Sequence, residues 1–306
     1  MKKLLSLSII AVIVATFSIF TYSCSAETDE IENKVITLES QKDINEEYAD
    51  LQQSLTVLTN QALNNAGIHQ SRASFWKHVR NWAYIIACDA LGFCKPKPTL
   101  EERLYNSICC SYKAAQKVGY IKHDIDLPII QMSVNSTDEV LLANESWAST
   151  TLDRAGLMHN KVLVALYNKH GNELLTVPSM QIYSEADSIM QNGLGIVLIP
   201  NDVKEEAEAL YAEILDIYES TETIEDFFDE WRALYPAQTN NINILETVIQ
   251  GMLQLDLKED NGVYLNNVVQ TINSSYLSEE NKQTLRSAIS IGHASAFLWE
   301  KDAFSI

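Results

Sequence analysis

The chain has 306 residues, with 22 lysines and arginines against 41 aspartates and glutamates, a net charge of −19. Nearly half of its residues are apolar, which is enough for a sizeable core and excludes disorder of the chain as a whole. The negative excess excludes nucleic-acid binding, because such a surface repels phosphate, and it supplies no attraction to anionic lipid.

Residues 1–23 read as a secretory signal peptide. Lys2 and Lys3 form a positive start, Leu4 to Phe20 is almost wholly apolar, and the run closes on Thr21-Tyr22-Ser23-Cys24. A small residue directly before Cys24 makes that cysteine the expected site of lipidation. The rival readings are a signal peptide cut after Ala26 and an uncleaved anchor, although the apolar run is short of the roughly 20 residues of a spanning helix. Behind Cys24 stands the acidic cluster Ser25-Ala26-Glu27-Thr28-Asp29-Glu30. The signal resembles the relaxed signal of Bacteroidota lipoproteins, and the cluster resembles the tag that exports such proteins to the outer face of the outer membrane. The resemblance implies membrane attachment through acyl chains on Cys24, with the body facing the cell exterior. Without Lys2 and Lys3 the net charge of that body is about −21.

Residues 24–43 are polar and acidic, a tether of helix-forming residues. A helical domain is expected over 44–306. Ile44, Tyr48, Leu51, Leu55, Leu58 and Ala62 fall at alternating spacings of four and three. That is one apolar helix face, too short for a coiled coil and suited to packing on a domain. The next helix follows a Ser71 cap and carries Phe75, Val79, Trp82, Ile86 and Ala90 on one face. Its start is basic, with Arg72, Lys77, His78 and Arg80, so residues 72–94 have a membrane-active reading. The run Ala83–Cys88, apolar all round, favours a core helix instead. Gly92 is expected to end it, and Pro96 and Pro98 to force a loop. Thr99 and Glu102 form a capping box for a helix running to about Val118.

Four cysteines follow Cys24: Cys88, Cys94, Cys109 and Cys110. In an oxidising compartment an even set predicts two disulfides, with Cys88 and Cys94 each crossing to one of the adjacent pair. The alternatives are buried thiols and a four-thiolate zinc site, for which the spacings are wrong.

Residues 120–136 are expected to be extended, Asp138 to Trp147 a short helix, and Asp153 the start of another. Residues 171–200 are the least helical stretch and the best candidate for a boundary. Within them Gly195 to Ile199 reads as a short buried strand or a helix end. Pro200-Asn201-Asp202 opens a helix to about Tyr218. Others follow near 223–235, 241–256, 261–273 and 278–300, with Thr223, Asn241 and Ser278 as caps. The fold class is therefore all-α, a single bundle of about eight to ten helices, with room for one small β element near 171–200.

Three segments resemble motifs of helical Bacteroidota lipoproteins that have no assigned reaction. They are Ala87-Cys88-Asp89-Ala90-Leu91-Gly92, the G-x-x-HN-x-x-L element Gly156 to Leu163, and the segment from Tyr276-Leu277-Ser278 to Ser295-Ala296-Phe297-Leu298-Trp299. The His159–Asn160 pair can cross-link a helix to its neighbour by hydrogen bonds, or serve as a ligand or catalytic pair. Lone His159 makes no metal site, and His123-Asp124-Ile125-Asp126 reads as a solvated loop, so neither metal nor cofactor is expected. Asp187-Ser188-Ile189 matches the short O-glycosylation pattern of Bacteroidota, with Ser188 as acceptor. No nucleophile elbow, P-loop, dinucleotide fingerprint or zinc-protease motif is present. No catalytic residue is assigned. The expectation is a non-enzymatic surface lipoprotein that binds a protein or glycan. The alternatives are a hydrolase using His159 as base and a membrane-active module built on residues 72–94.

Overall fold

A computed structural model describes residues 27–68, 72–94, 99–118, 152–194, 199–255 and 260–298. Among the described residues there are ten α-helices and no strand: α1 (Glu27–Asn65), α2 (Arg72–Cys94), α3 (Leu100–Val118), α4 (Leu152–His170), α5 (Ser179–Leu194), α6 (Asn201–Ser220), α7 (Ile224–Leu234), α8 (Thr239–Gln254), α9 (Asp260–Ser274) and α10 (Glu279–Leu298). Two 3₁₀ turns, Gly171–Thr176 and Pro236–Gln238, link neighbours. The all-α expectation holds. The β element does not appear over 171–194, which is 3₁₀ turn followed by α5, and residues 195–198 lie outside the described residues. So do the expected elements at 120–136 and 138–147.

The chain divides into two units, residues 1–46 and 47–306. The first is helical from Glu27, so most of the expected tether is α-helix. In the second, α1 buries Tyr48, Leu51, Leu55, Thr59 and Leu63, while Leu58 and Ala62 are partly covered. The sequence stripe repeats every 3.5 residues, but a straight helix turns every 3.6, so the buried line drifts to Thr59 and Leu63. This is the signature of a helix lying on a domain, not of a coiled coil. Tyr48 donates to Asn241 Oδ1 at 2.9 Å and Gln52 Nε2 to Thr247 Oγ1 at 2.6 Å, which fixes α1 to α8. The helix stops at Gly67, whose φ of +69° lets Ile68 N–H reach back to the Leu63 carbonyl.

The centre is built from α2, α3, α4 and α10. Every residue from Ala83 to Cys94 is buried, as is every residue from Leu104 to Ala115. Helices enclosed on all sides need side chains that allow close approach, and here these are Ala, Ser, Cys and Gly. Gly92 shows the point. It was expected to cap α2, but the helix continues to Cys94. A Cβ on Gly92 would lie 2.9 Å from Cys110 Sγ and 3.3 Å from Ser107 Cα, so this glycine allows α2 to approach α3 rather than ending it. Around the centre, α6 and α7 add an aromatic layer. The Tyr84 ring lies 4.1 Å from Tyr218 and 5.4 Å from Phe227, and Phe227 packs on Trp231.

Several expected caps are present. Thr99 Oγ1 accepts from Glu102 N, and Thr223 with Asp226 forms a complete capping box. Ser278 Oγ accepts from Asn281 N. Asn241 is no cap; it lies inside α8 and receives the Tyr48 hydroxyl.

The predicted disulfides are absent. None of Cys88, Cys94, Cys109 and Cys110 is bridged, and all four thiols are buried. They act as small apolar packing residues between α2 and α3, the role that gives free cysteine its high burial. Burial pushes the Cys94 thiol up to about 12 and holds the Cys88 thiol well above its ordinary range. Both are therefore protonated and poor nucleophiles at neutral pH.

Candidate functional site

The three motif-like segments come from distant parts of the chain and meet at one point. α2 contributes Asp89, α4 contributes Gly156, His159 and Asn160, and α10 contributes Ser290, Ala294 and Ser295. Asp89, His159 and Ser295 are completely buried. Asp89 Oδ2 accepts from Ser111 Oγ at 2.9 Å and from Ser295 Oγ, while the Asp89 carbonyl oxygen accepts from Ser107 Oγ at 2.8 Å. His159 Nδ1 lies 3.1 Å from Asn160 Oδ1, and Asn160 Nδ2 donates to the Ala294 carbonyl at 2.8 Å. His159 Nε2 stands 3.8 Å from Asp89 Oδ2, beyond hydrogen-bond length.

This arrangement defines the protonation states. Burial raises Asp89 well above the usual carboxylate range, against the opposing hydrogen bonds from Ser295 and Ser111. Burial lowers His159 to about 4, against the pull of Asn160 and the Ser107 backbone. Both shifts favour the uncharged forms, a carboxylic acid beside a neutral imidazole. The cluster ties four helices together through polar contacts and presents nothing to solvent. Sequence reasoning found His159, Asn160 and the Asp89 segment, but missed Ser107 and Ser111. The available signal was a lone aspartate inside the apolar run Ala83–Phe93, which needs donors once buried.

A concave surface lies elsewhere among the described residues, between α1 and α9. The helices run antiparallel over α8, where Gly251 permits the approach; a Cβ there would lie 2.5 Å from the Tyr264 hydroxyl and 2.7 Å from Thr59 Cγ2. Thr59 Oγ1 and the Tyr264 hydroxyl share a hydrogen bond of 2.8 Å beneath the groove. Above them is a groove of about 620 Å³, floored by Leu51 and Leu58 and walled by polar side chains of both helices. A second cavity of about 260 Å³ continues it past the shared Leu58 and Asn267 towards Ala62 and Val263. Tyr276, 87% exposed, stands at the first groove's end.

The chain matches no protein-family model, no curated protein and no solved structure.

Cys24 and the His123–Asp126 segment lie outside the described residues. Ser188 is exposed on α5, where Asn192 Nδ2 donates to its hydroxyl at 3.2 Å. Its neighbour Asp187 is buried and accepts from Ile199 N at 3.2 Å, from Gln191 and from Lys204. Among the described residues no group of three or more His, Cys, Asp or Glu side chains is placed to hold a metal ion, and no helix is long and apolar enough to cross a membrane.

Proposed function

We propose that this chain is an exported, lipid-anchored binding module of the cell surface, and that the groove between α1 and α9 is its binding face. The observation that carries the reading is where the molecule leaves polar groups unused. Among the described residues, the side chains of Glu47, Asp50, Gln270, Ser274 and Tyr276 line the groove without a hydrogen bond or ion pair to another residue. A concave site with convergent, unengaged polar groups is the usual form of a ligand site. The leader and Cys24 support export and anchoring, and the missing catalytic motifs support binding over catalysis.

The hydrolase reading around His159 draws no support from this geometry. The imidazole and its nearest carboxyl are fully enclosed, and neither lines either groove cavity. A general base must reach the proton that it removes. The membrane-active reading of residues 72–94 conflicts with the burial of Ala83 to Cys94, whose release would dismantle the core.

The test is hydrogen exchange of the purified protein with and without a total envelope fraction from its own cells. Protection confined to 47–58 and 267–276 is the expected result. Protection elsewhere, or none, overturns the assignment of the face. Mass measurement of the N-terminal peptide from membranes checks the anchor: acylated Cys24 supports it, and an intact Met1 overturns it.

A further inference from the structure

We infer that the α1–α9 groove takes a neutral oligosaccharide; this rests on reading that groove as the binding face. Charge narrows the ligand first. Glu47 and Asp50 line the groove, and no lysine, arginine or histidine lines it or its continuation. Phosphate, sulfate and uronate groups would meet two carboxylates and no cation, which disfavours anionic ligands.

Hydrogen-bond polarity narrows it further. Ser54 gives its proton to the Asp50 carbonyl at 2.9 Å, Thr271 to the Asn267 carbonyl at 2.8 Å, and Ser275 to the Ile272 carbonyl at 2.7 Å. Each of these three hydroxyls has spent its donor on a nearby backbone carbonyl and offers the groove lone pairs. The carboxylates of Glu47 and Asp50 are acceptors as well. The Asn267 and Gln270 amides add donors among them. This wall calls for a ligand with many donors that can also accept, and a polyol carries both on every hydroxyl. Adjacent sugar hydroxyls can donate in parallel to one carboxylate. A peptide offers one backbone N–H per residue and suits the site less well.

Shape agrees. The volume falls within the ~300–1,000 Å³ range of small-ligand sites, and the continuation past Leu58 and Asn267 suits a linear chain. The Tyr276 ring offers a flat apolar face for the C–H side of a sugar ring.

The experiment uses the purified protein and a panel of neutral gluco-, galacto-, manno- and xylo-oligosaccharides, from tetra- to hexasaccharide. Binding is read by calorimetry and by NMR shifts of the Asn267 and Gln270 side-chain amides. At least one member is expected to bind and move both amides. Tyr276→Ala and Gln270→Ala are each expected to weaken it about tenfold, worth about 1.4 kcal/mol. Both side chains are exposed, so the variants should keep the parent melting temperature. If the whole panel fails while a protease-sensitive envelope component still protects the groove, the sugar inference falls and the binding face stands. If nothing protects the groove, both fall. Sugar binding that neither variant changes places the site elsewhere and overturns the inference.

Discussion

Gly156 on α4 lies directly against Ser290 on α10. Its amide donates to Ser290 Oγ at 3.2 Å, and a Cβ added to it would come within 2.5 Å of the Ser290 carbonyl oxygen and 2.9 Å of Ala294 Cβ. Two helix backbones meet here with no room for a methyl group. Gly156→Ala is therefore expected to lose stability despite alanine's better helix propensity. Overpacking typically costs about 1–3 kcal/mol against a propensity gain of about 1. Gly292→Ala is the control, because its nearest neighbour would be Ile86 Cγ2 at 3.5 Å, an ordinary contact. That variant should be neutral or more stable. Urea midpoints of the two variants beside the parent check the ordering, and equal midpoints would refute the close-packing account.

The enclosed cluster predicts a pH dependence whose sign follows from its members. His159 is lowered to about 4 and His293 to about 3, both chiefly by burial. The unfolded chain therefore binds protons that the folded chain refuses. Stability from these groups is complete above about pH 6.5 and is lost on acidification towards their folded values, by up to about 1.4 kcal/mol per pH unit for each histidine. Asp89 is raised, so its contribution has the opposite sign and falls as pH rises above about 4. Asp89→Asn removes that opposing slope. The variant should be at least as stable as the parent at pH 7 and should lose stability more steeply between pH 6.5 and 4.5. His159→Gln should make the acid loss shallower. Denaturant titrations at three pH values decide it; parallel curves for Asp89→Asn and the parent would show that Asp89 is ionised in the fold.

The four thiols give a third expectation. With Cys88, Cys94, Cys109 and Cys110 reduced and buried, a disulfide-exchange reagent should label none of them quickly in the native protein and all four in denaturant. A reductant should leave the melting temperature unchanged. A fall in melting temperature with reductant would mean that bridges do form between these thiols.

These cases show how far the sequence could be read. The 3.6-residue periods and the caps Thr99, Thr223 and Ser278 located most helices, because helix starts depend on a few side chains within one turn. Gly92 was misread because the same residue type serves both as a helix stop and as a close-contact point. Only the position of α3, with Cys110 against α2, distinguishes the two roles. The cysteines were misread for a related reason. Compartment and even number suggested pairing, but packing between α2 and α3 uses each thiol as a small apolar group. His159–Asn160 was visible as a pair, while its partners Asp89 and Ala294 come from helices far apart in sequence. The α1–α9 groove left no sequence signal, because hydroxyls and amides spaced along a helix look like any solvated face until a second helix is set beside them.

The Asp187–Ser188 pair needs two variants, because the adjacent residues have different roles. Ser188 is exposed and would carry the sugar if the tripeptide is modified. Asp187 is held low: burial pushes its carboxyl up, but Lys204, Gln191 and the Ile199 amide outweigh that effect. It fastens the start of α6 to α5 whether or not Ser188 is modified. Asp187→Ala would remove the modification signal and also leave Ile199 N–H buried without its acceptor, at a cost of about 1–3 kcal/mol. Loss of expression in that variant would therefore say nothing about glycosylation. Ser188→Ala removes only an exposed hydroxyl and should change stability by less than about 0.5 kcal/mol. If Ser188 is glycosylated, that variant loses the sugar mass from the α5 peptide while its melting temperature holds. A parent peptide of unmodified mass would remove glycosylation from the account and leave Asp187 as a purely structural residue.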